Sequence, residues 1–241
     1  CGQRKDLQKG VEIHSDILRK KLYHKDIFIT NALMGMYIKC NAFAKAQNVF
    51  DEMTIRTVVS WNVLITGYAK YRLVDEALSC FKQMQEQCIF PDAFTFTCVL
   101  KACGTIGAMD KGIQIHDEIL SKGLIKTHAM LGTALVDMYS KCGALEKARE
   151  VFKRLQVRNV VSWSAIMTGY VEHGLGNEAL ECFERMQSEG FVPDAITYNG
   201  ILKACGDIGD IRKGEEMHCE IASKGFLEKN VLLGTSLVDM Y

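Results

Sequence analysis

The stretch "VVSWNVLITGY", Val58–Tyr68, returns 102 residues later along the chain as "VVSWSAIMTGY", Val160–Tyr170. The two copies share the frame Val, Val, Ser, Trp, Thr, Gly and Tyr, while Asn62 inside the frame is exchanged for Ser164. Both exchanged residues are small, polar and able to form hydrogen bonds. The pattern raises the question of why a chain keeps a motif so closely and varies one polar residue in its middle.

The same offset holds along the whole 241-residue chain without an insertion. "LKACG" at Leu100–Gly104 returns at Leu202–Gly206, and "LGTALVDMY" at Leu131–Tyr139 returns as "LGTSLVDMY" at Leu233–Tyr241. Self-similarity at a fixed period is the sequence signature of repeat architectures. The chain is therefore predicted to be a repeat protein.

The 102-residue period subdivides further, because "NALMGMY" (Asn31–Tyr37), "NVLITGY" (Asn62–Tyr68) and "TALVDMY" (Thr133–Tyr139) are variants of one helix. Alignment on this helix gives successive repeats of 31, 35 and 36 residues, after which the cycle restarts. The predicted division of a single array is a partial repeat 1–26, then 27–57, 58–92, 93–128, 129–159, 160–194 and 195–230, and a partial repeat 231–241.

Each repeat is predicted to be a pair of helices. In 58–92 one apolar stripe contains Trp61, Leu64, Ile65 and Tyr68, and a second contains Val74, Ala77, Leu78, Phe81 and Met84. "QCIFPD" is predicted to end the pair, because Pro91 cannot donate a hydrogen bond in a continuing helix. No segment alternates with period two, so strands are not expected. Because one pair cannot bury its stripes alone, neighbours must stack, which predicts an all-α fold, a right-handed α-solenoid with a concave face lined by the first helices.

Composition limits the class of protein. Hydrophobic residues make up 48% of the chain and charged residues 24%, and no apolar run approaches the length of a membrane-spanning helix. The 29 basic residues balance 29 acidic ones, so contact with nucleic acid has to depend on local placement of charge. The ten cysteines recur mostly as images of one another without a C-x-x-C spacing, which predicts buried, reduced thiols in a reducing compartment. The chain starts at Cys1 with no signal or transit peptide, so it is expected to be an excerpt of a longer protein.

Helical repeats of about 34 residues suggest the tetratricopeptide family first. Here, however, small polar residues follow the tryptophan position and the 35-residue repeat ends in Pro-Asp. These features resemble the pentatricopeptide repeat family, in the subtype that alternates P, L and S repeats. Val58–Asp92 looks like a P repeat, Ala93–Gly123 like the start of an L repeat and Thr133–Phe152 like the heart of an S repeat. In order, the array then reads partial L, S, P, L, S, P, L and partial S.

The resemblance implies that the chain binds single-stranded RNA, with one base for each repeat read by the fifth and the last residue of that repeat. An asparagine amide both donates and accepts, as the edge of a pyrimidine does, whereas a short serine hydroxyl leaves room for a purine. The resemblance then implies that the shared frame of the opening motif serves packing, and that the exchange of Asn62 for Ser164 changes the base that the repeat recognises. The implied base-reading residues are Asn31, Thr57, Asn62, Asp92, Thr97, His128, Thr133, Asn159, Ser164, Asp194, Asn199, Asn230 and Thr235.

The family's rules assign a letter to each pair of fifth and last residue. They imply U for Asn62 with Asp92 and G for Ser164 with Asp194. The remaining pairs imply A for Thr133 with Asn159, a pyrimidine for Asn31 with Thr57 and for Asn199 with Asn230, and no letter for Thr97 with His128. Along the chain, the expected RNA is pyrimidine-U-any-A-G-pyrimidine, running 5′ to 3′.

Two further positions are implied to touch RNA. Second residues would lie between successive bases, although packing against the next repeat is an equally open alternative; they are Phe28, Val59, Phe94, Met130, Val161 and Ile196. The thirteenth residues Lys39, Lys70 and Lys141 are candidates for phosphate contact, with plain solvation as the alternative. Glu172 takes this place in the second P repeat and breaks the pattern.

The sequence predicts neither catalysis nor a metal or cofactor site. "HDE" (His116–Glu118) and "HCE" (His218–Glu220) match half of a zinc cytidine deaminase signature, but the required P-C-x-x-C is absent. The histidines His14, His116 and His218 are instead expected to cap helices or pack between repeats.

The predicted function is sequence-specific binding of single-stranded RNA, as the targeting part of an organellar C-to-U editing factor in mitochondrion or chloroplast. Further expected partners are editing-complex proteins, with no membrane contact, and the chain is expected to be a monomer or to self-associate weakly through its truncated terminal repeats. The alternative is a scaffold that binds peptides. A peptide clamp would place Lys or Arg at the fifth positions, where this chain has Asn, Thr and Ser, and this difference favours RNA.

Overall fold

The structure is a computed structural model that describes residues 6–19, 26–228 and 230–241. In this part of the chain it contains fifteen helices and no strand, which confirms the all-α class. The start of the predicted partial repeat 1–26 and its residues 20–25 lie outside the described residues.

The first helices of the repeats begin at residues 27, 58, 93, 129, 160, 195 and 231, which are the first residues of the predicted repeats. These helices are α2 (Ile27–Lys39), α4 (Val58–Lys70), α6 (Ala93–Ile106), α9 (Ala129–Lys141), α11 (Val160–Glu172), α13 (Ala195–Ile208) and α15 (Val231–Met240). The second helices are α1 (Leu7–Arg19), α3 (Phe43–Asp51), α5 (Val74–Glu86), α7 (Met109–Ser121), α10 (Leu145–Arg154), α12 (Gly176–Ser188) and α14 (Ile211–Ser223), and the short α8 (Leu124–Thr127) follows α7.

Repeat length is set largely by the second helix. The 31-residue repeats have second helices of nine and ten residues, α3 and α10, whereas those of the 35-residue repeats, α5 and α12, have thirteen. The 36-residue repeats also have second helices of thirteen residues, α7 and α14, and their first helices, α6 and α13, are one residue longer at fourteen. The sequence variation in length therefore leaves the order of helices unchanged.

The chain divides into two compact bodies, residues 1–106 and 107–241. In the first body, α4 packs against α2 and α6 and against its own partner α5. In the second body, α9, α11, α13 and α15 pack in succession, each against the next. Within each body the first helices therefore form one continuous layer, with the second helices packed against it.

The repeated frame of the opening motif forms the core. The Trp61 ring meets the Phe50 ring edge to face, with centroids 4.5 Å apart, and Trp163 meets Phe152 in the same way at 4.6 Å. All members of the two predicted apolar stripes of 58–92 are buried. The frame is conserved between the two copies because both copies make the same packing contacts.

The glycine of "TGY" allows two first helices to approach closely. A Cβ atom on Gly67 would lie 2.5 Å from Ile38 Cδ1, and one on Gly169 would lie 2.5 Å from Ser140 Cβ. Real Cβ atoms do not approach neighbours so closely, so any larger residue would separate α2 from α4 or α9 from α11.

The second helices of the P repeats end before proline, which corrects the prediction that Pro91 provides the stop. The helix α5 ends at Glu86 and the chain reverses at Cys88, whose φ is +56°, while α12 ends at Ser188 before Gly190 at +83°. A left-handed residue is a common way to end a helix and is usually glycine. Each non-glycine with positive φ in the first copy has a glycine in the second: Asn41 and Gly143, Arg72 and Gly174, Cys88 and Gly190.

The nine described cysteines are free thiols, as expected. Burial raises the pKa of Cys80 to about 12 and that of Cys182 and Cys205 to about 11, so these thiols stay protonated. The prediction of burial is wrong for Cys88 and Cys219, which are exposed. None of the helices in the described ranges combines the length and the apolar character that crossing a bilayer requires.

We expect Cys88→Gly to raise the free energy of unfolding by up to about 1 kcal/mol. A left-handed conformation costs an L-residue roughly 1–2 kcal/mol, and the greater freedom of glycine in the unfolded chain offsets part of this gain. Urea denaturation followed by circular dichroism measures the difference.

The second copy provides the matched control. Gly190→Ala places a Cβ where no atom lies within 4 Å, so its effect reports φ alone, and it is expected to destabilise by about 1 kcal/mol. Unchanged stability in both variants would contradict the assignment of strain to these positions.

Candidate nucleic-acid interface

An exposed apolar side chain stands at the second position of each first helix. Their exposed fractions run from 48% to 78%, so about half or more of each side chain is left uncovered. They are Phe28, Val59, Phe94, Met130, Val161 and Ile196. Scattered exposed apolar residues are normal on a protein surface, but the same register on successive first helices forms a row within each body.

The fifth residues lie one turn further along the same helices. Asn62 and Ser164 are nearly covered, with 8% and 7% of their surface exposed, and each takes part in a hydrogen-bonded cluster. These two positions therefore lie just below the surface, next to the exposed second residues. The last residue of the same repeat joins each cluster from the beginning of the next first helix.

In the first P repeat, Asn62 and Asp92 are in direct contact. Asn62 Nδ2 donates to Asp92 Oδ1 at 3.3 Å, and Asn62 Oδ1 lies 2.6 Å from the hydroxyl oxygen of Thr95. Asp92 begins α6, because its Oδ1 accepts the backbone N–H of Thr95 at 2.8 Å. The predicted fifth and last residues are thus brought together, although they are 30 residues apart in sequence.

The carboxyl of Asp92 is held in its ionised form. Burial pushes its pKa upward, but the hydrogen bonds donated by the backbone and side chain of Thr95 and by Asn62 outweigh burial and leave the pKa below its usual value. An ionised carboxylate only accepts hydrogen bonds, so the Asn62 amide turns its NH2 end toward Asp92.

In the second P repeat, the side chain of Thr197 connects Ser164 to Asp194. Ser164 Oγ lies 2.8 Å from Thr197 Oγ1, and Thr197 Oγ1 donates to Asp194 Oδ1 at 2.8 Å. Asp194 caps α13 by accepting the backbone N–H of Thr197. Ser164 also bonds the backbone oxygen of Val160 on its own helix, at 2.9 Å.

The S repeats are built differently. Among the described residues, Thr133 Oγ1 bonds Ala129 O on its own helix at 3.5 Å, while Asn159 caps α11 in a reciprocal pair with Ser162. In the earlier S repeat Thr57 caps α4, and the buried Oδ1 of Asn31 has no hydrogen-bond partner among the described residues. The S pairs are therefore not joined by the hydrogen bonds that the P pairs have.

The L repeats have a third arrangement. Asn199 Oδ1 accepts a short hydrogen bond from Ser236 Oγ, whereas Asn230 Nδ2 turns back to Phe226 O at 3.1 Å. Thr97 Oγ1 bonds Ala93 O in the first body, and His128 belongs to the second body, where its side chain bonds Thr127. Thr235 is exposed and bonds the backbone of Val231 at 3.3 Å.

The candidate phosphate contacts lie at the opposite end of the first helices. Lys39, Lys70 and Lys141 are the last residues of α2, α4 and α9, and all three are exposed. Lys141 forms an ion pair with Asp137, in which Nζ lies 2.9 Å from Oδ2. A cation at this place also favours the helix by interacting with its negative end, so the position alone does not require RNA.

The three histidines make one contact three times. Nδ1 of His14, His116 and His218 lies 2.8, 2.9 and 3.1 Å from the hydroxyl of Tyr37, Tyr139 and Tyr241, respectively, on the next repeat. The rings also meet edge to face. This confirms packing between repeats, and no group of three possible metal ligands occurs in the described part of the chain.

A cavity of about 440 Å³ lies in the second body, away from these clusters. Ile113 and Leu120 of α7 and Val151 of α10 line it, and of the described residues none of the predicted base-reading positions does. The candidate site therefore consists of residues near the N-terminal ends of the first helices and not of a pocket.

Three kinds of contact residue were not singled out from the sequence. Leu232 is an exposed second residue like the other six, and the register of α15 would have identified it. Thr95 and Thr197 contact fifth residues from the third position of the L repeats, and Ser236 contacts Asn199 from a sixth position. No signal within a single repeat points to these three, because their partners belong to the preceding repeat.

Comparison with known proteins agrees with this geometry. Residues 56–105 and 158–207 match the PPR repeat family, and residues 28–57, 94–124, 133–160 and 196–226 match the PPR repeat. A putative pentatricopeptide repeat-containing protein of Arabidopsis thaliana is 37% identical over 244 residues, across 100% of this chain and 35% of its own length. A chloroplastic relative is 37% identical and a mitochondrial one 36%, both from the same plant and across 100% of this chain, but over 29% and 23% of their own lengths. The chain thus spans roughly a third or less of these curated relatives.

Solved structures show the same fold. The pentatricopeptide repeat protein PPR10 in complex with an 18-nucleotide psaJ RNA element superposes with a TM-score of 0.77, at 16% identity, over 97% of this chain and 35% of that one. Nuclear proteinaceous RNase P 2 from Arabidopsis thaliana gives a TM-score of 0.52 at 16% identity, over 69% of this chain and 38% of that one. These similarities confirm the α-solenoid fold class.

We expect stability to fall as pH decreases below about 6.5. Burial is the largest cause that lowers the pKa of His116; Asp117 opposes it, and Lys147 and Arg154 lower the pKa further. Burial also lowers the pKa of His14. The unfolded chain then binds more protons than the folded chain, so stability is full above the ordinary histidine pKa and is lost as pH falls below it. Urea unfolding between pH 7.5 and 5 measures this slope.

His116→Gln is expected to flatten the slope by removing one of the two groups. Tyr139→Phe provides a comparison, because it should cost about 1 kcal/mol at pH 7.5 through the lost hydrogen bond while keeping the histidine. An unchanged slope in His116→Gln would show that this histidine does not drive the pH dependence.

Proposed function

The chain belongs to the pentatricopeptide repeat family, and we propose that it binds single-stranded RNA in a sequence-specific manner, with one nucleotide facing each repeat. The fifth and last residue of each repeat read the edge of the base, and the second residues lie between successive bases. The RNA element held by PPR10, which has the same fold, supports the proposal.

One observation carries the proposal: an exposed apolar side chain and a polar pair recur together at every P repeat junction. Val59 stands beside Asn62 with Asp92, and Val161 stands beside Ser164 with Asp194. A nucleobase has an apolar face and a polar edge, and proteins that read single strands meet both at once. A row of such combinations suits a row of bases.

The amide of Asn62 still has hydrogen-bonding capacity for a base. An amide offers two N–H donors and two acceptor positions, of which Asp92 and Thr95 use one each. The remaining donor and acceptor can pair with a pyrimidine edge. Ser164 is shorter and leaves more space beside Asp194, which fits the larger G.

The wider role is proposed from relatives. The subtype with P, L and S repeats, a place in an editing factor that converts C to U, and editing-complex proteins as partners are inferred from the order of repeats in the sequence. Relatives named chloroplastic or mitochondrial support an organellar location, in chloroplast or mitochondrion.

A scaffold that binds peptides is the alternative function. Clamping a peptide's carboxylate calls for cations at the fifth positions, whereas Asn62 and Ser164 sit beside carboxylates there. An added carboxylate ligand would be repelled at these junctions. Failure of the RNA experiments below would return this alternative to first place.

Ser164→Asn is expected to change the letter read by the second P repeat from G toward U. The variant recreates beside Asp194 and Thr197 the combination that Asn62 forms with Asp92 and Thr95. We expect the preference between the two bases to shift by about tenfold or more, since one well-placed pair is worth roughly 1–3 kcal/mol. Fluorescence anisotropy with RNA of the sequence pyrimidine-U-any-A-G-pyrimidine, and with U in place of G, measures the shift.

The reciprocal variant Asn62→Ser is the matched control, with an expected change from U toward G at the second nucleotide only. Equal affinity of the native chain for both RNAs, or none for either, would overturn the proposed function.

The exposed lysines predict a modest salt dependence. If Lys39, Lys70 and Lys141 each neutralise one phosphate, the logarithm of the binding constant should fall against that of salt concentration with a slope of about −2. Replacing all three with alanine should remove most of this slope and keep the order of preferred bases.

Glu172→Lys is the opposite change, because it adds the lysine that the second P repeat lacks. It should steepen the slope by roughly 0.7. A slope that is the same in all three proteins would show that the thirteenth residues do not contact phosphates.

A further inference from the structure

The hydroxyl of Thr95 is placed between the two base-reading residues of the first P repeat. Thr95 is fully buried, and its Oγ1 lies 2.6 Å from Asn62 Oδ1 and 2.8 Å from Asp92 Oδ1. A hydroxyl has one proton to donate. Asn62 Oδ1 and Asp92 Oδ1 both lie within hydrogen-bond distance of this hydroxyl, so either oxygen can accept its proton.

This arrangement fixes which way the Asn62 amide faces. Its NH2 end points to the Asp92 carboxylate, and its oxygen end points to the Thr95 hydroxyl. Turning the amide by half a rotation would bring its oxygen against the carboxylate and lose both bonds. Asp92 holds one end of the amide and Thr95 holds the other.

The second P repeat has the same arrangement of a threonine hydroxyl between its fifth and last residues, although its fifth residue is Ser164 and not an asparagine. Thr197 is also a third residue of an L repeat, and its hydroxyl links Ser164 to Asp194 at 2.8 Å on each side. The base-reading residue changes from Asn to Ser, but the threonine and its contacts stay. The third residue therefore serves the reading position and not only one particular side chain.

In the described S repeats, no third residue of the following repeat forms a hydrogen bond with the fifth residue. The third residues that follow them, Ser60 and Ser162, bond Thr57 and Asn159 in their own capping pairs. In the described part of the chain the buried Oδ1 of Asn31 is left without a hydrogen bond. Capping alone therefore does not create the contact with a fifth residue, since Ser60 and Ser162 cap without making it.

We propose that Thr95 and Thr197 are positioning residues that hold the base-reading side chains of the preceding P repeats in one orientation and so set how sharply these repeats distinguish bases. The inference rests on the proposed function. Uracil presents an acceptor and a donor side by side on its pairing edge, and cytosine presents a donor and an acceptor in the same places. An amide free to turn suits both bases, whereas an amide held at both ends suits one.

The test compares Thr95→Val, which keeps the shape and the backbone N–H but removes the hydroxyl, with Thr95→Ser, which restores the hydroxyl. Binding is measured by fluorescence anisotropy to RNA of the sequence pyrimidine-U-any-A-G-pyrimidine and to the same RNA with C in place of U. We expect Thr95→Val to reduce the preference for U over C by about fivefold, the factor that one net hydrogen bond makes in an equilibrium constant. Thr95→Ser should keep the native ratio.

The preference for G over A at the fifth nucleotide is the internal control. Thr95→Val should leave it unchanged, and Thr197→Val should reduce it while leaving the U-to-C ratio intact. A purely structural role in capping α6 would weaken binding to both RNAs by the same factor, so an unchanged ratio in Thr95→Val overturns the inference while the native preference for U preserves the proposed function.

If the native chain itself does not distinguish U from C, the proposed function fails, and the inference fails with it. Circular dichroism checks that each variant folds. Should Thr95→Val not fold, Thr197→Val decides the question at the G position, where a ratio equal to the native one overturns the inference.

Discussion

The close contact between consecutive first helices is the constraint on which the candidate interface depends. Gly67 leaves no space between α4 and Ile38 of α2, and Gly169 does the same between α11 and Ser140 of α9. In each body this layer continues to the next first helix. For this reason Asp92, at the start of α6, reaches Asn62 on α4. The predicted base-reading pair of Asn62 and Asp92 thus joins the first helix of one repeat to the start of the next and requires that the two helices pack together.

Capping explains which residues occur at the last position. A helix start leaves backbone N–H groups without partners, and Ser, Thr, Asp and Asn satisfy them best, at about 0.5–2 kcal/mol each. The last residues of the S and P repeats cap the next helix with their side chains: Thr57, Asp92, Asn159 and Asp194. His128 and Asn230, which close the L repeats, make no such bond. The residues that carry a clear implied letter are therefore those that the helix start already orients, and His128 has neither a cap nor a letter.

The sequence predicted the start of each first helix and the buried stripes, because both follow from strong periodic signals in side chains such as Trp61 and Leu64. It predicted correctly that the helix pair ends at "QCIFPD", but it gave Pro91 as the cause, because a left-handed Cys88 cannot be recognised from its residue type. It left the exposure of second residues such as Val59 open, because a period does not tell which side of the first turn a neighbour covers. Contacts such as Thr95 with Asn62 depend on the offset between two helices, and no pattern within one repeat contains that offset.

The charge balance bears on how an RNA would be held. With 29 basic and 29 acidic residues, and with one of the three candidate lysines shared with Asp137, the chain has little general attraction for a phosphate backbone. In the proposed mode of binding, stacking on the exposed second residues would be tolerant of sequence and would supply affinity. Discrimination between bases would then depend on the few hydrogen bonds at the helix starts, where the side chains are nearly buried and an unmatched base edge would be costly. If the hydrogen bonds in these clusters became disordered, the chain would lose specificity before it lost affinity. The reason is that stacking would remain, while a chain with balanced charge has no large electrostatic attraction that favours every RNA sequence equally.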